Sequence, residues 1–232
     1  MNQKDLLFQE AYELFKKGQH SDAYTRFEQI CKSFDNPGEA LWYMGIISLQ
    51  TEKYEQAIRH LHDALMHEPG NADYMSELGV AYFHIKEGEK SLEYMDLALK
   101  IDPTNPYRYS SRAYIRASLG MHAEAIADYE MAIKLDPEDS VAYNNLGLLQ
   151  EQAGWKEQAS MSFEQADALE SLQKAIEQDP EQNPIAEVSL PEEEEKTEEK
   201  SGGIWQIMGS IFTNAQTRSE FFDFVKRGFK KG

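Results

Sequence analysis

Small and bulky residues recur along the first three quarters of this 232-residue chain on a ruler of 34. Ala11, Gly45, Gly79, Ala113 and Gly147 fall at that interval, and so do Ala23, Ala57, Ser91, Ala125 and Ala159. A third slot holds Phe27, Leu61, Met95, Tyr129 and Phe163, and a fourth holds Ile30, Ala64, Ala98, Ala132 and Ala166. Pro69, Pro103 and Pro137 close the middle units. Self-similarity of this length belongs to stacked helical pairs, each unable to bury its apolar faces alone and so dependent on its neighbours.

Within residues 38–71, apolar side chains stand at Leu41, Met44 and Ile47 and then at Ala57, Leu61, Ala64 and Leu65, three and four apart in each run. Each run predicts an amphipathic helix of about a dozen residues. Gly45 is expected opposite Ala57, so that two antiparallel helices approach closely, with Leu61 filling the space beside the crossing. Pro69 followed by Gly70 and Asn71 ends the second helix, because proline disfavours helix in the residue before it and Gly-Asn supplies turn conformations.

These slots resemble those of tetratricopeptide repeat proteins. Five units fit, at 4–37, 38–71, 72–105, 106–139 and 140–173. The resemblance implies an all-α, right-handed superhelix (solenoid) of stacked antiparallel helix pairs. Unit one has Asp35 at the proline slot, and in unit four Arg112 and Arg116 take slots held by Leu78 and Tyr82 one unit earlier. In unit five Ser171 replaces the proline, while Leu172, Ala175 and Pro180 repeat the second-helix spacing nine residues late. That spacing predicts a prolonged last helix over 155–178; a decayed sixth unit is the alternative. The array is placed at 1–179, an acidic disordered linker at 180–202 and an amphipathic C-terminal helix at 203–232.

Charge narrows the function. Net charge is −18: residues 1–173 carry −14, residues 174–200 carry −7 and residues 201–232 carry +3. An acidic array lacks the basic face that phosphate backbones require, so no nucleic acid is expected. No run of 18 apolar residues is long enough to span a membrane, and the N-terminus has no secretory pattern, so a cytoplasmic setting is expected. Cys31, the single cysteine, has no partner for an internal disulfide and reads as a structural thiol. His60, Asp63 and His67 share a helix face at spacings of three and four, which a metal could use, but exposed polar residues of this kind are ordinary solvated groups. No catalytic residue, cofactor or metal is expected, and the chain reads as no enzyme.

The resemblance also implies that the first helix of each unit lines a concave groove. Inward slots then hold Phe8, Tyr12 and Phe15; Trp42, Tyr43, Ile46 and Leu49; Val80, Phe83 and His84; Tyr107 and Tyr114; and Asn144, Asn145 and Leu148. Phe15, Leu49 and Phe83 are expected to pack against the next unit. Tyr12, Trp42, Tyr43, Tyr107 and Tyr114 are expected to contact a protein or peptide ligand, since tyrosine and tryptophan are common interface anchors. In the chaperone adaptors of that family, inward lysine and asparagine clamp a C-terminal carboxylate; here Phe8, Tyr12, Tyr43, Asp73 and Glu77 stand there, so that clamp is absent. Of an inward asparagine ladder only Asn144 and Asn145 remain. Arg108, Arg112 and Arg116 lie on successive turns, either paired with acids such as Asp96 or Glu77 or offered to an acidic group on a ligand.

Beyond the linker, with its acidic run at 192–195, composition reverses. Residues 203–232 contain Trp205, Met208, Phe212, Phe221, Phe222, Val225 and Phe229 on helical spacing, ending in Lys226, Arg227, Lys230 and Lys231. So much apolar surface marks an interaction site. Three partners remain open: the protein's own groove in cis or on a second copy as a homo-oligomer, another protein, or an anionic membrane surface. A tether of this length gives an effective concentration of about 1 mM, so even weak contacts hold a self-docked tail.

Overall fold

The protein is described here from a computed structural model, in which residues 3–178 are described; the expected linker at 180–202 and C-terminal segment at 203–232 lie outside them. Ten helices, and no strand, are found among the described residues. They are α1 Gln3–Lys16, α2 His20–Ser33, α3 Gly38–Gln50, α4 Tyr54–His67, α5 Ala72–His84, α6 Gly88–Ile101, α7 Pro106–Ser118, α8 His122–Leu135, α9 Ser140–Gln152 and α10 Lys156–Gln178. The chain divides into two compact units, 1–169 and 170–232, and the described part of the second is the C-terminal end of α10.

The ruler of 34 also governs how helices start and turn. Asn71, Asn105 and Asp139 cap α5, α7 and α9, each accepting from backbone N–H groups two or three residues on, at 3.0 to 3.2 Å. These bonds satisfy donors that a helix N-terminus otherwise leaves open. Between the two helices of every unit, one residue takes the left-handed conformation: Gly18, Glu52, Lys86, Gly120 and Gly154, with φ from 59° to 81°. Glycine adopts this region freely, whereas Glu52 and Lys86 hold it against their Cβ atoms.

Partners within a pair run in opposite order, Gly38 meeting His67 and Gly45 meeting Leu61, so the two helices are antiparallel. A Cβ added at Gly45 would stand 2.7 Å from Leu61 Cγ, at Gly79 2.9 Å from Met95 Cγ and at Gly147 2.7 Å from Phe163 Cε1. The bulky slot of the second helix therefore lies directly on the glycine rather than beside it. In unit three the small slot shares the contact, with Ser91 O at 3.0 Å. Phe27, Leu61, Met95 and Tyr129 are fully buried, and with the Ala64, Ala98 and Ala132 slot they carry the core through residues 1–169. Burying each such large side chain contributes about 1.5–3 kcal/mol.

First helices also touch one another across units, α3 with α5 and α5 with α7, while second helices make no comparable contact. The first helices α3, α5 and α7 thus form the inner side of the stack in residues 38–118.

Candidate functional site

On the inner wall the structure separates residues that periodicity alone groups together. Tyr43, 2% exposed, is the centre of an aromatic cluster: its ring stacks on Phe27 at 5.0 Å and meets the edges of Phe8, Tyr12 and Phe15 at 5.3 to 5.8 Å. Burial pushes its phenol far above the ordinary range. Trp42, also 2% exposed, fills the space between Tyr43 at 4.8 Å and Tyr74 of α5 at 5.7 Å. Both rings lock α3 between units one and three, which corrects the expectation that they face a ligand.

Phe15 packs on Tyr43 of the next unit, and Leu49 is buried. Phe83 meets Tyr114 edge-on at 5.6 Å, leaving Tyr114 half-buried. Phe8, Tyr12, Ile46, Val80 and Tyr107 are likewise half-buried, while Leu148 and Asn144 are exposed. Asn145 is half-buried and faces the Tyr129 hydroxyl, so its amide is engaged with the preceding unit. Lys16 Nζ sits 4.9 Å above the ring of Tyr12.

The three arginines of α7 are taken up inside the stack. Arg108, its side chain 3% exposed, pairs with Asp73 at 2.6 Å and with Asp102, and donates to Ser76 Oγ at 3.0 Å. Arg112 grips Asp128 with Nε and Nη2, at 2.9 and 2.6 Å, and reaches Asp96 at 2.6 Å. Arg116 donates to the same Asp128 at 2.7 Å. Arg112 and Arg116 therefore serve internal acids rather than a ligand's acidic group, and the partners are Asp96 and Asp128 rather than Glu77. The slots explain why this works. Tyr82 and Tyr94 stack at 5.5 Å in unit three, Arg116 and Asp128 form an ion pair 34 residues later, and Gln150 accepts from Ser162 at 2.8 Å 34 residues beyond. One pair of positions is satisfied by three chemistries.

A carboxylate group on the wall carried no signal in the sequence beyond the absence of a basic clamp. Glu77 of α5 is half-buried, and burial together with Asp73 one turn away pushes its carboxyl up to about 7, against the opposing pull of Arg108. Tyr107 of α7 lies beside Glu77 and Asp73. On α3, Glu39 is half-buried, its carboxyl raised by burial and by Glu68.

His60 of the candidate histidine face is engaged with the Tyr24 hydroxyl at 2.8 Å. Among the described residues no three His, Cys, Asp or Glu side chains form a metal-ligand group, and no helix is long and apolar enough to cross a membrane.

A stack of antiparallel helix pairs on a 34-residue repeat defines a helical repeat protein, and comparison with known families says which kind. Residues 48–113 and 140–171 match family profiles described as tetratricopeptide repeat, and residues 113–154 match one described as TPR repeat. Together the matches run from 48 to 171, and the chain belongs to the tetratricopeptide repeat proteins. Over 79 residues it is 34% identical to cell division cycle protein 27 homolog B of Arabidopsis thaliana, a match covering 34% of this chain and 11% of that protein. The chain thus spans about a tenth of that relative. Among solved structures it is similar to MamA (TM-score 0.63, 23% identity, 75% of this chain and 98% of that one). It is also similar to MamA from residue 41 onward of Desulfovibrio magneticus RS-1 (0.64, 20%, 75% and 98%). YrrB, described as a TPR protein with an unusual peptide-binding site, matches with a TM-score of 0.55 and 18% identity over 70% of this chain and 84% of that one. At such identities the likeness concerns the fold.

Proposed function

We propose that this chain is a non-enzymatic interaction scaffold or adaptor whose inner wall takes an apolar or aromatic peptide or helix. The observation that carries this reading is the row of half-buried Phe8, Tyr12, Ile46, Tyr107 and Tyr114, continued by exposed Leu148 and Asn144, on first helices whose other faces are already packed. Core residues have no need of a second apolar face; a partner does. Trp42 and Tyr43 shape that wall from behind. The likeness to a TPR protein with a peptide-binding site supports the reading, and a cytoplasmic setting goes with it.

The segment 203–232 is the second half of the proposal: it docks on the groove, on a second copy or on a partner, its +3 charge matched to the acidic array. Fluorescence anisotropy with a labelled peptide of residues 203–232 tests both halves. Chain truncated at residue 200 is expected to bind this peptide more tightly than full-length chain, and Tyr12→Ala to weaken it. Equal affinity for both chains contradicts self-docking, and no binding to either contradicts the groove as its site. The alternative, a peripheral-membrane adaptor, rests on Lys226, Arg227, Lys230 and Lys231 beside Trp205 and the phenylalanines. It predicts that full-length chain, and not the truncation, co-sediments with anionic liposomes at low salt.

A further inference from the structure

We propose that the junction between units three and four is a hinge: a polar seam across which the array flexes as two blocks, 3–101 and 106–169, while units one to three move as one body. The seam belongs to the array itself and stands whatever the inner wall binds.

The same slots carry different chemistry at successive junctions. Trp42 of unit two meets Tyr74 of unit three at 5.7 Å. One repeat later those slots hold Ser76 and Arg108, joined by a hydrogen bond of 3.0 Å. His62 Nε2 and the Tyr82 hydroxyl share a hydrogen bond of 2.9 Å between units two and three. Their slots one repeat later hold Asp96 and Arg116, 3.9 Å apart. On the inner wall an aromatic contact does cross from unit three to unit four, Phe83 against Tyr114 at 5.6 Å. The core divides at the same place. One buried cluster gathers Ala72, Met75 and Ala98 with Leu65 and Tyr94, all from units two and three. Another, with Ala113, Tyr129, Ala132 and Leu146, is built from units four and five. Of the four contacts between consecutive units, that of α6 with α7 is the least extensive.

Rotating an apolar junction opens gaps between side chains packed to fit one another, and the lost dispersion contacts oppose the motion at once. The bonds of the seam behave otherwise. Arg108 is shared by Asp73, at 2.6 Å, and Asp102, while Arg112 is shared by Asp96 and Asp128, each at 2.6 Å. Asp96 and Asp102 are the solvent-facing partners, with side chains 55% and 37% exposed, so water replaces an arginine there as the units shift. A guanidinium has several N–H donors and keeps one carboxylate while it leaves the other. Exposed ion pairs add little to the hold between units, and local motion concentrates where few buried apolar contacts oppose it. Phe83 and Tyr114 then act as the pivot. Flexing about them changes the spacing between Ile46 of α3 and Tyr107 of α7, so the seam sets how wide the inner wall stands.

The test reads spin-label distances in the full-length protein carrying Cys31→Ser, by double electron–electron resonance. Thr25→Cys with Glu93→Cys spans units one to three, and Arg59→Cys with Ala127→Cys crosses the seam. Each pair lies two repeats apart at exposed positions of second helices, so the labels themselves add the same spread to both. The seam-crossing pair is expected to give a distance distribution about twice as broad as the other. Asp73→Leu with Arg108→Met, which replaces the buried pair by apolar side chains, is expected to narrow it to the width of the control pair. Arg108→Ala, which severs the pair, is expected to broaden it further. Equal widths for the two label pairs overturn the hinge, and so does a seam-crossing width that both seam variants leave unchanged while circular dichroism shows them folded. The comparison of the two label pairs needs no seam variant, so it decides even where a substitution unfolds the chain.

Discussion

Glu52 and Lys86 hold backbone positions that glycine fills in the other three units, at φ 59° and 66°. An L-residue there works against its own Cβ, and glycine relieves that at the expense of a more flexible unfolded chain. Lys86→Gly is expected to stabilise the fold by about 0.5–1 kcal/mol, read as a higher urea midpoint with an unchanged slope. The sequence did not disclose this fifth recurring slot, because its residue types, three glycines, a glutamate and a lysine, do not resemble one another; only the backbone repeats. Glu77 is the other residue whose meaning emerges from its surroundings. Its folded carboxyl titrates near 7, above the ordinary value of 4.5, so the folded state holds the proton more tightly than the unfolded chain. The resulting stability is complete below about 4.5 and is lost as pH rises through about 7, when the folded state must carry a half-buried anion. Glu77→Gln removes that loss. Relative to wild type it should gain roughly 2–3 kcal/mol between pH 4.5 and 8, measured by denaturant unfolding. A constant difference across that range would mean that Glu77 is not held near neutrality. His84, whose burial pushes it down to about 4, acts in the opposite sense and in both proteins, so it cancels in the difference.

At the scale of helices, the α7–α8 pair shows how one architecture tolerates different chemistry. Asp128 lies between Arg112 and Arg116, where unit three has an aromatic stack. Removing the acid alone leaves two largely buried arginines with exposed Asp96 as their remaining acid. Asp128→Ala is expected to cost about 3 kcal/mol. Arg116→Tyr combined with Asp128→Tyr, which restores the unit-three arrangement, should recover most of it, and the coupling between the two is read from a double-mutant cycle in thermal unfolding. Element boundaries were largely legible in the spacing of apolar residues, including the long last helix, which runs Lys156–Gln178. Which face of a first helix meets solvent was less so. Trp42 and Tyr43 are aromatic, and nothing in their own helix distinguishes a core ring from a wall ring; the rings that enclose them, Phe27 and Tyr74, come from α2 and α5. The same holds for the arginines, since Arg112 and Asp128 lie 16 residues apart and meet only once the pair has folded.

For the array as a whole, the account divides the surface in two. The inner wall of first helices carries half-buried aromatic and apolar side chains and the Glu77 carboxylate. The second helices present scattered exposed residues such as Met66, Met131 and Leu135. Single exposed apolar residues are normal on a protein surface, whereas a continuous wall that its own core leaves uncovered is where a partner fits. The measurement that tests this most directly is a titration of isotope-labelled full-length protein with the aromatic peptide acetyl-FKWFKF-amide, followed by residue-resolved chemical shifts. The account predicts perturbations at Tyr12, Ile46, Tyr107 and Tyr114, with Met66, Met131 and Leu135 unmoved. Shifts confined to the second helices, with the inner wall silent, would contradict it.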